Sequence, residues 1–131
     1  MPYTEKYVTV AGTGTWGENS ISNPSSLEEA AASGVPAERV HIKSGTYSLA
    51  AGLQFAGGVD ADPIVWMGYN STTGDLQSVG RASATSALDI TNCPVIDAGT
   101  DYAISGGSHG NYINLRFTCA GDIPSYRPGT N

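Results

Sequence analysis

Hydrophobic and polar residues alternate with a period of two over much of this chain, which is the pattern of β-strands. Strands are predicted at 7–10, 40–43, 47–49, 53–55, 63–69, 94–97, 102–104 and 112–117. The run 63–69 is the most apolar, and its nearly continuous hydrophobic character predicts a strand with neighbours on both sides. Residues 70–92 are small and polar, and we interpret them as a long loop between strands.

One short segment, 26–33, has the spacing of a helix instead. Its apolar stripe consists of Leu27, Ala30 and Ala31. Ser26 and Glu29 have the spacing of a capping box, and Gly34 is a predicted stop. Because the stripe is short, the helix can bury little area, and we expect it to cover the open end of another structure.

Similar strand units recur along the sequence. Ile42, Val65, Ile96 and Leu115 are separated by 23, 31 and 19 residues. Such spacing predicts a solenoid, whose coils bury their inner faces on one another and whose end needs a cover. The predicted fold is therefore all-β, a short solenoid with an N-terminal capping α-helix. It forms a single domain, 1–131, with strand, loop and helix in 7–34, coils in 38–120 and an extended tail in 121–131.

Composition supports one β-rich domain and excludes some partners. The chain has 131 residues, 17 glycines, 7 prolines and a formal net charge of −6. That charge would repel nucleic acid and an anionic membrane, so neither is an expected partner. The sequence predicts no signal peptide and no membrane-spanning run. Cys93 and Cys119 are interpreted as free thiols, with one disulfide as the alternative.

The order of several motifs resembles the N-terminal end of the right-handed parallel β-helix superfamily, which includes pectate-lyase-like enzymes and phage tailspikes. The matching segments, within 7–69, are YVTVAGTGT, SLEEAAASG, VHIKSGTY, LQF and DPIVWMGY. HGNYINLRFTCA also resembles a later coil of that superfamily. One departure is Ala37-Glu38-Arg39, where the family usually has Gly-Asp before the strand. The resemblance implies a short right-handed parallel β-helix.

Exposed aromatic rings are the sequence's best candidates for contact with sugars, because their faces stack on sugar rings. The candidates are Trp16, Tyr102 and Tyr112. Trp66 and Tyr69 lie in the most apolar strand and are interpreted as packing residues.

Titratable residues suggest chemistry less clearly. Asp60, Asp62 and Asp75 could together bind Ca²⁺, but their spacing matches no calcium loop and solvated turns are the favoured interpretation. Asp97 and Asp101 could serve as an acid and base pair for sugar hydrolysis, although turn roles are preferred.

The two histidines and the glycine-rich loop are the remaining candidates for a functional role. His41 should point away from the core, and His109 lies in a glycine-rich turn, so structural or surface roles are favoured for both. The loop GTGTWG lacks the Lys-Ser/Thr of a P-loop. No catalytic residue and no cofactor is predicted.

These observations favour a non-enzymatic structural protein over an enzyme. We expect a phage virion component, such as a capsid decoration protein, a fibre or a tailspike, that contacts surface polysaccharide. Its expected location is the virion or an extracellular surface. Its expected partners are other virion proteins or copies of itself in a homotrimer. The alternatives are an N-terminal fragment of a polysaccharide lyase or depolymerase, and a small carbohydrate-binding module.

Overall fold

The computed structural model describes residues 2–76, 92–100 and 104–119. Tyr102, Asp101, the predicted tail 121–131 and most of the predicted loop 70–92 therefore lie outside the described residues.

The described residues form nine short strands, one α-helix and one 3-10 helix. The helix α1 spans Leu27–Ser33, and the 3-10 helix spans Trp16–Glu18. The strands are β1 (Thr4–Val8), β2 (Glu38–Lys43), β3 (Thr46–Ser48), β4 (Leu53–Gln54), β5 (Ile64–Tyr69), β6 (Val95–Asp97), β7 (Ile104–Ser105), β8 (Gly110–Ile113) and β9 (Arg116–Thr118). The predicted strand 112–117 is divided between β8 and β9, because Asn114 between them has a left-handed φ of 55°.

The nine described strands form three parallel sheets. The largest has the strand order β1-β2-β5-β8, the second β3-β6-β9 and the third β4-β7. Every pairing between these described strands is parallel. β5 is buried along its whole length between β2 and β8, as its apolar sequence predicted.

The helix α1 shares the hydrophobic core with the sheets through one buried face, while Glu28 and Ala32 on its other side are exposed. Leu27, Ala30 and Ala31 are buried in the same hydrophobic cluster as residues of all three sheets, and α1 packs against β4. The predicted all-β class, a short right-handed parallel β-helix with an N-terminal capping α-helix, is therefore wrong. The described residues form a small mixed α/β-like fold, in which parallel sheets and one short helix share a core.

Small residues allow the helix to approach the sheets closely. Gly34 ends α1 with φ −57° and ψ 144°, which is not the left-handed conformation of a glycine stop. A Cβ atom at this position would lie 2.8 Å from Cδ1 of Ile64. Gly34 therefore allows the end of α1 to approach Ile64 of β5 closely, and a side chain at this position would have to displace the end of Ile64.

The start of α1 follows the sequence prediction only in part. The hydroxyl of Ser26 accepts a hydrogen bond of 3.1 Å from the backbone N–H of Glu29. The Glu29 carboxylate accepts instead from the Trp16 backbone N–H and the Ser33 hydroxyl, both at 3.3 Å. Half of the predicted capping box forms, and the other half connects the helix to the preceding loop.

Aromatic side chains fill the centre of the core. Trp66 is fully buried and Tyr69 is 4% exposed, which confirms their predicted packing role. The ring of Phe55 lies edge-on to Trp66, with 4.8 Å between ring centroids, and also contacts Tyr112 at 5.3 Å.

Candidate functional site

The candidate site is a groove of about 650 Å³ on the outer face of the four-stranded sheet. Strand register places two rows of side chains along its floor, because residues two positions apart in a strand share a face. One row is Glu5, Arg39 and Val65, and the other is Tyr7, His41, Met67 and Ile113. Tyr3 lies at one end, and Thr73 and Gly74 also line the groove.

Glu5 holds two basic side chains together at the centre of the polar part. Its Oε1 accepts a hydrogen bond of 3.1 Å from Nη1 of Arg39, and its Oε2 lies 2.6 Å from Nε2 of His41. The side chains of Glu5 and Arg39 are 40% and 38% exposed, so both remain accessible. A ligand can therefore meet an acceptor and several guanidinium donors in a fixed arrangement.

Aromatic rings fix the positions of these basic groups. Tyr7 stacks on His41 with a centroid distance of 5.3 Å, and Tyr69 contacts the same imidazole edge-on at 6.4 Å. The Arg39 guanidinium lies 5.0 Å from the ring centroid of Tyr3, a cation–π distance. The half-buried rings of Tyr3 and Tyr7 also give the groove aromatic surface.

His41 occupies the outer face, as its alternation with Val40 and Ile42 predicted, but it is buried there. Only 8% of the residue is exposed, because Tyr7 and Tyr69 contact its ring. Within the described residues, its Nδ1 atom has no hydrogen-bond partner. His41 therefore acts by positioning Glu5, and its ring forms part of the floor of the groove.

Asp75 organises the loop that carries Thr73 and Gly74. Its carboxylate accepts hydrogen bonds from the backbone N–H groups of Asn70, Ser71 and Thr72, at 2.8, 2.8 and 3.0 Å. Burial on its own would raise the pKa of Asp75, but these hydrogen bonds outweigh it and hold the pKa below its ordinary value. Asp75 thus acts as the stabilising residue of this part of the groove.

The predicted calcium ligands are not brought together. Asp60 is exposed and Asp62 is half-buried, and the backbones of Val59 and Asp62 are hydrogen-bonded in a turn. Among the residues that the structure describes, no three His, Cys, Asp or Glu side chains are placed to hold a metal ion.

The predicted sugar-contact residues lie elsewhere. Trp16 is 7% exposed, and its indole N–H donates a hydrogen bond of 3.1 Å to the buried carboxylate of Glu38. Lys6 lies against the ring of Trp16 at 5.1 Å, so little ring surface is open for stacking. Tyr112 is half-buried against Phe55, and its hydroxyl accepts a hydrogen bond from the Gly107 N–H. Tyr102 lies outside the described residues.

Other interpretations made from the sequence are confirmed. The Asp97 carboxylate accepts from the backbone N–H of Gly99 at 3.0 Å, which is the expected turn role. Cys93 and Cys119 are not joined by a disulfide bond, and Cys93 is buried.

Sequence reasoning missed most of the groove. One signal in the sequence could have revealed the groove. Residues with chemically useful side chains occupy alternate positions at Tyr3, Glu5 and Tyr7, and again at Arg39 and His41. Alternate positions in a strand share one face of the sheet. The predicted first strand began at residue 7, so the odd positions before it were not included.

Comparison of the chain with protein-family models, with curated proteins and with solved structures finds no match. In the described ranges, no helix is long and apolar enough to cross a membrane.

Proposed function

We propose that this protein is a non-enzymatic structural protein of a phage particle, and that the groove on its four-stranded sheet contacts surface polysaccharide. One observation carries the polysaccharide part: the rings of Tyr3 and Tyr7 lie beside the fixed pair Glu5 and Arg39 in one accessible groove. Aromatic surface next to a carboxylate and a guanidinium suits a sugar, which has apolar ring faces and hydroxyl edges.

The chemistry of the groove favours binding over hydrolysis. Glycoside hydrolysis ordinarily uses two carboxyl groups on either side of the scissile bond. In the part of the chain that the structure describes, Glu5 is the single carboxylate that lines the groove. Its two oxygens already contact Arg39 and His41, which suits it to positioning a ligand.

The virion part of the proposal rests on sequence motifs alone, because segments within 7–69 resemble those of phage tailspikes, and it takes no support from the predicted β-helix class. A protein of this kind would lie on the virion surface, beside other virion proteins or as a homotrimer. The acidic net charge of −6 is compatible with an exposed position away from nucleic acid.

A glycan array followed by calorimetry tests the proposal. The full chain is expected to bind a defined set of glycans reproducibly and to leave them uncleaved after prolonged incubation. Tyr7→Ala and Arg39→Ala should each weaken binding roughly tenfold, because each removes a central contact. Lys43→Ala is the matched control, since Lys43 is an exposed cation further along β2 and does not line the groove.

Thermal unfolding of each variant separates loss of binding from loss of folding. A protein that binds no glycan reproducibly would contradict the polysaccharide role, and cleavage of a bound glycan would contradict the non-enzymatic role. Solution mass measured at micromolar concentration addresses the assembly, for which a trimer is expected.

A further inference from the structure

The groove is divided into a polar half and an apolar half. The polar half is formed by Glu5 and Arg39 on β1 and β2, and the apolar half by Val65, Met67 and Ile113 on β5 and β8. Neighbouring strands lie about 4.8 Å apart, so the two halves are within reach of a single sugar residue. A ligand that fills the groove must therefore present hydroxyl groups to one side and an apolar group to the other.

The apolar half offers only a small open surface. Val65 is 8% exposed and Met67 is 5% exposed, while Ile113 is half-buried beside them. This exposure suits a substituent of methyl size better than a whole ring face. A hydroxyl group placed there would lose its hydration without gaining a partner from these three side chains, which is unfavourable.

We infer that the groove selects saccharides that carry a methyl group, with that methyl against Val65 and Met67 and the sugar hydroxyls towards Glu5 and Arg39. This inference rests on the proposed polysaccharide role and specifies its ligand class. The methyl group can come from an N-acetyl substituent or from a 6-deoxy sugar, and both present the same apolar contact.

Matched pairs of glycans test the inference. Triacetylchitotriose and cellotriose carry an acetamido group and a hydroxyl, respectively, at the same ring position. L-Fucose and L-galactose, used as free sugars, carry a methyl group and a hydroxymethyl group at the same ring position. On the full chain, the methyl-bearing member of at least one pair should bind about fourfold more tightly, as expected for burial of one methyl group. The pair that shows the preference identifies the source of the methyl.

Val65→Thr is the diagnostic variant, because threonine keeps the β-branched shape and replaces one methyl by a hydroxyl. It should reduce the preference within the responding pair towards unity, because the methyl-bearing member loses an apolar contact and the hydroxyl-bearing member gains a hydrogen-bond partner. Val95→Thr makes the same chemical change on β6, in a different sheet, and should leave the preference intact.

The possible outcomes distinguish a failure of the methyl preference from a failure of the proposed polysaccharide role. Equal affinity within both pairs, with glycan binding present, would overturn the methyl selection and leave the polysaccharide role standing. A preference that survives Val65→Thr in a folded protein would also overturn it. Absence of binding to every glycan on the array would overturn the proposed function itself.

Discussion

The side-chain amide of Asn19 covers the free edge of β1 by hydrogen-bonding to both the backbone N–H and the backbone carbonyl of Tyr7. The Tyr7 N–H donates to Oδ1 of Asn19 at 2.7 Å, and Nδ2 of Asn19 donates to the Tyr7 carbonyl at 2.7 Å. The Ser25 N–H adds a 3.0 Å hydrogen bond to the same carbonyl. A strand edge with unpaired backbone groups is a template for another chain, so this arrangement limits pairing at β1.

Replacing Asn19 by alanine should destabilise the protein and open this edge. The loss of two backbone hydrogen bonds at a half-buried position is expected to lower the free energy of unfolding by roughly 1–2 kcal/mol. Urea unfolding measures this change, and sedimentation velocity should show concentration-dependent association of the variant. Asn23→Ala is the control, because Asn23 is exposed and its amide makes one hydrogen bond of 3.2 Å to the Glu18 carbonyl. Equal losses for the two variants would contradict the edge role.

The strands could be predicted from the sequence because their alternation is local. The role of α1 could not, because it depends on contact between Gly34 and Ile64, which lie 30 positions apart in the chain. The stripe of Leu27, Ala30 and Ala31 correctly predicted a helix with one buried face, but the stripe does not specify which strands that face packs against.

The candidate site was less predictable than the strands. Trp16 was expected on the surface because it lies in a glycine-rich loop. Its burial depends on Glu38 and Lys6, distant polar residues that accompany the ring into the interior. The groove depends on parallel register between β1 and β2, which brings Glu5 beside Arg39 and Tyr7 beside His41. Local patterns do not specify that register.

The contact between Gly34 and Ile64 can be tested by a double-mutant cycle. Gly34→Ala should destabilise the protein by about 1–3 kcal/mol, because the new Cβ would lie 2.8 Å from the Ile64 Cδ1. Ile64→Val, which removes that Cδ1, should cost about 0.5–1.5 kcal/mol alone. The double variant should be more stable than the sum predicts, as measured by urea unfolding.

A second glycine provides the control for this cycle. No atom outside its neighbours lies within 4 Å of a Cβ placed at Gly17, so Gly17→Ala should change stability by less than about 0.5 kcal/mol. Strict additivity of Gly34→Ala and Ile64→Val would show that their destabilising effects are independent.

Ala37 is a position at which a glycine should stabilise the protein. Its φ of 62° lies in the left-handed region, which costs a residue with a Cβ about 1–2 kcal/mol. After allowance for the greater freedom of glycine in the unfolded chain, Ala37→Gly should gain about 0.5–1 kcal/mol, seen as a higher melting temperature. Ala32→Gly, at an exposed position inside α1, should lose about 1 kcal/mol. A loss at both positions would contradict the strain at Ala37.

The stability contributed by Asp75 should depend on pH. Its folded-state pKa is held below the ordinary value of 3.8, because hydrogen bonds from Asn70, Ser71 and Thr72 outweigh the effect of burial. The carboxylate therefore stabilises the fold above the unfolded-state pKa, and this contribution is lost as pH falls through the folded-state pKa.

Asp75→Asn should lower stability by about 1 kcal/mol at pH 7, and the difference from the natural protein should shrink below about pH 4. Asp60→Asn, at an exposed aspartate, is the control and should show little difference at either pH. Urea unfolding at pH 7, 5 and 3 measures these differences in the free energy of unfolding. A difference between Asp75→Asn and the natural protein that does not change with pH would contradict a stabilising role for the negative charge of Asp75.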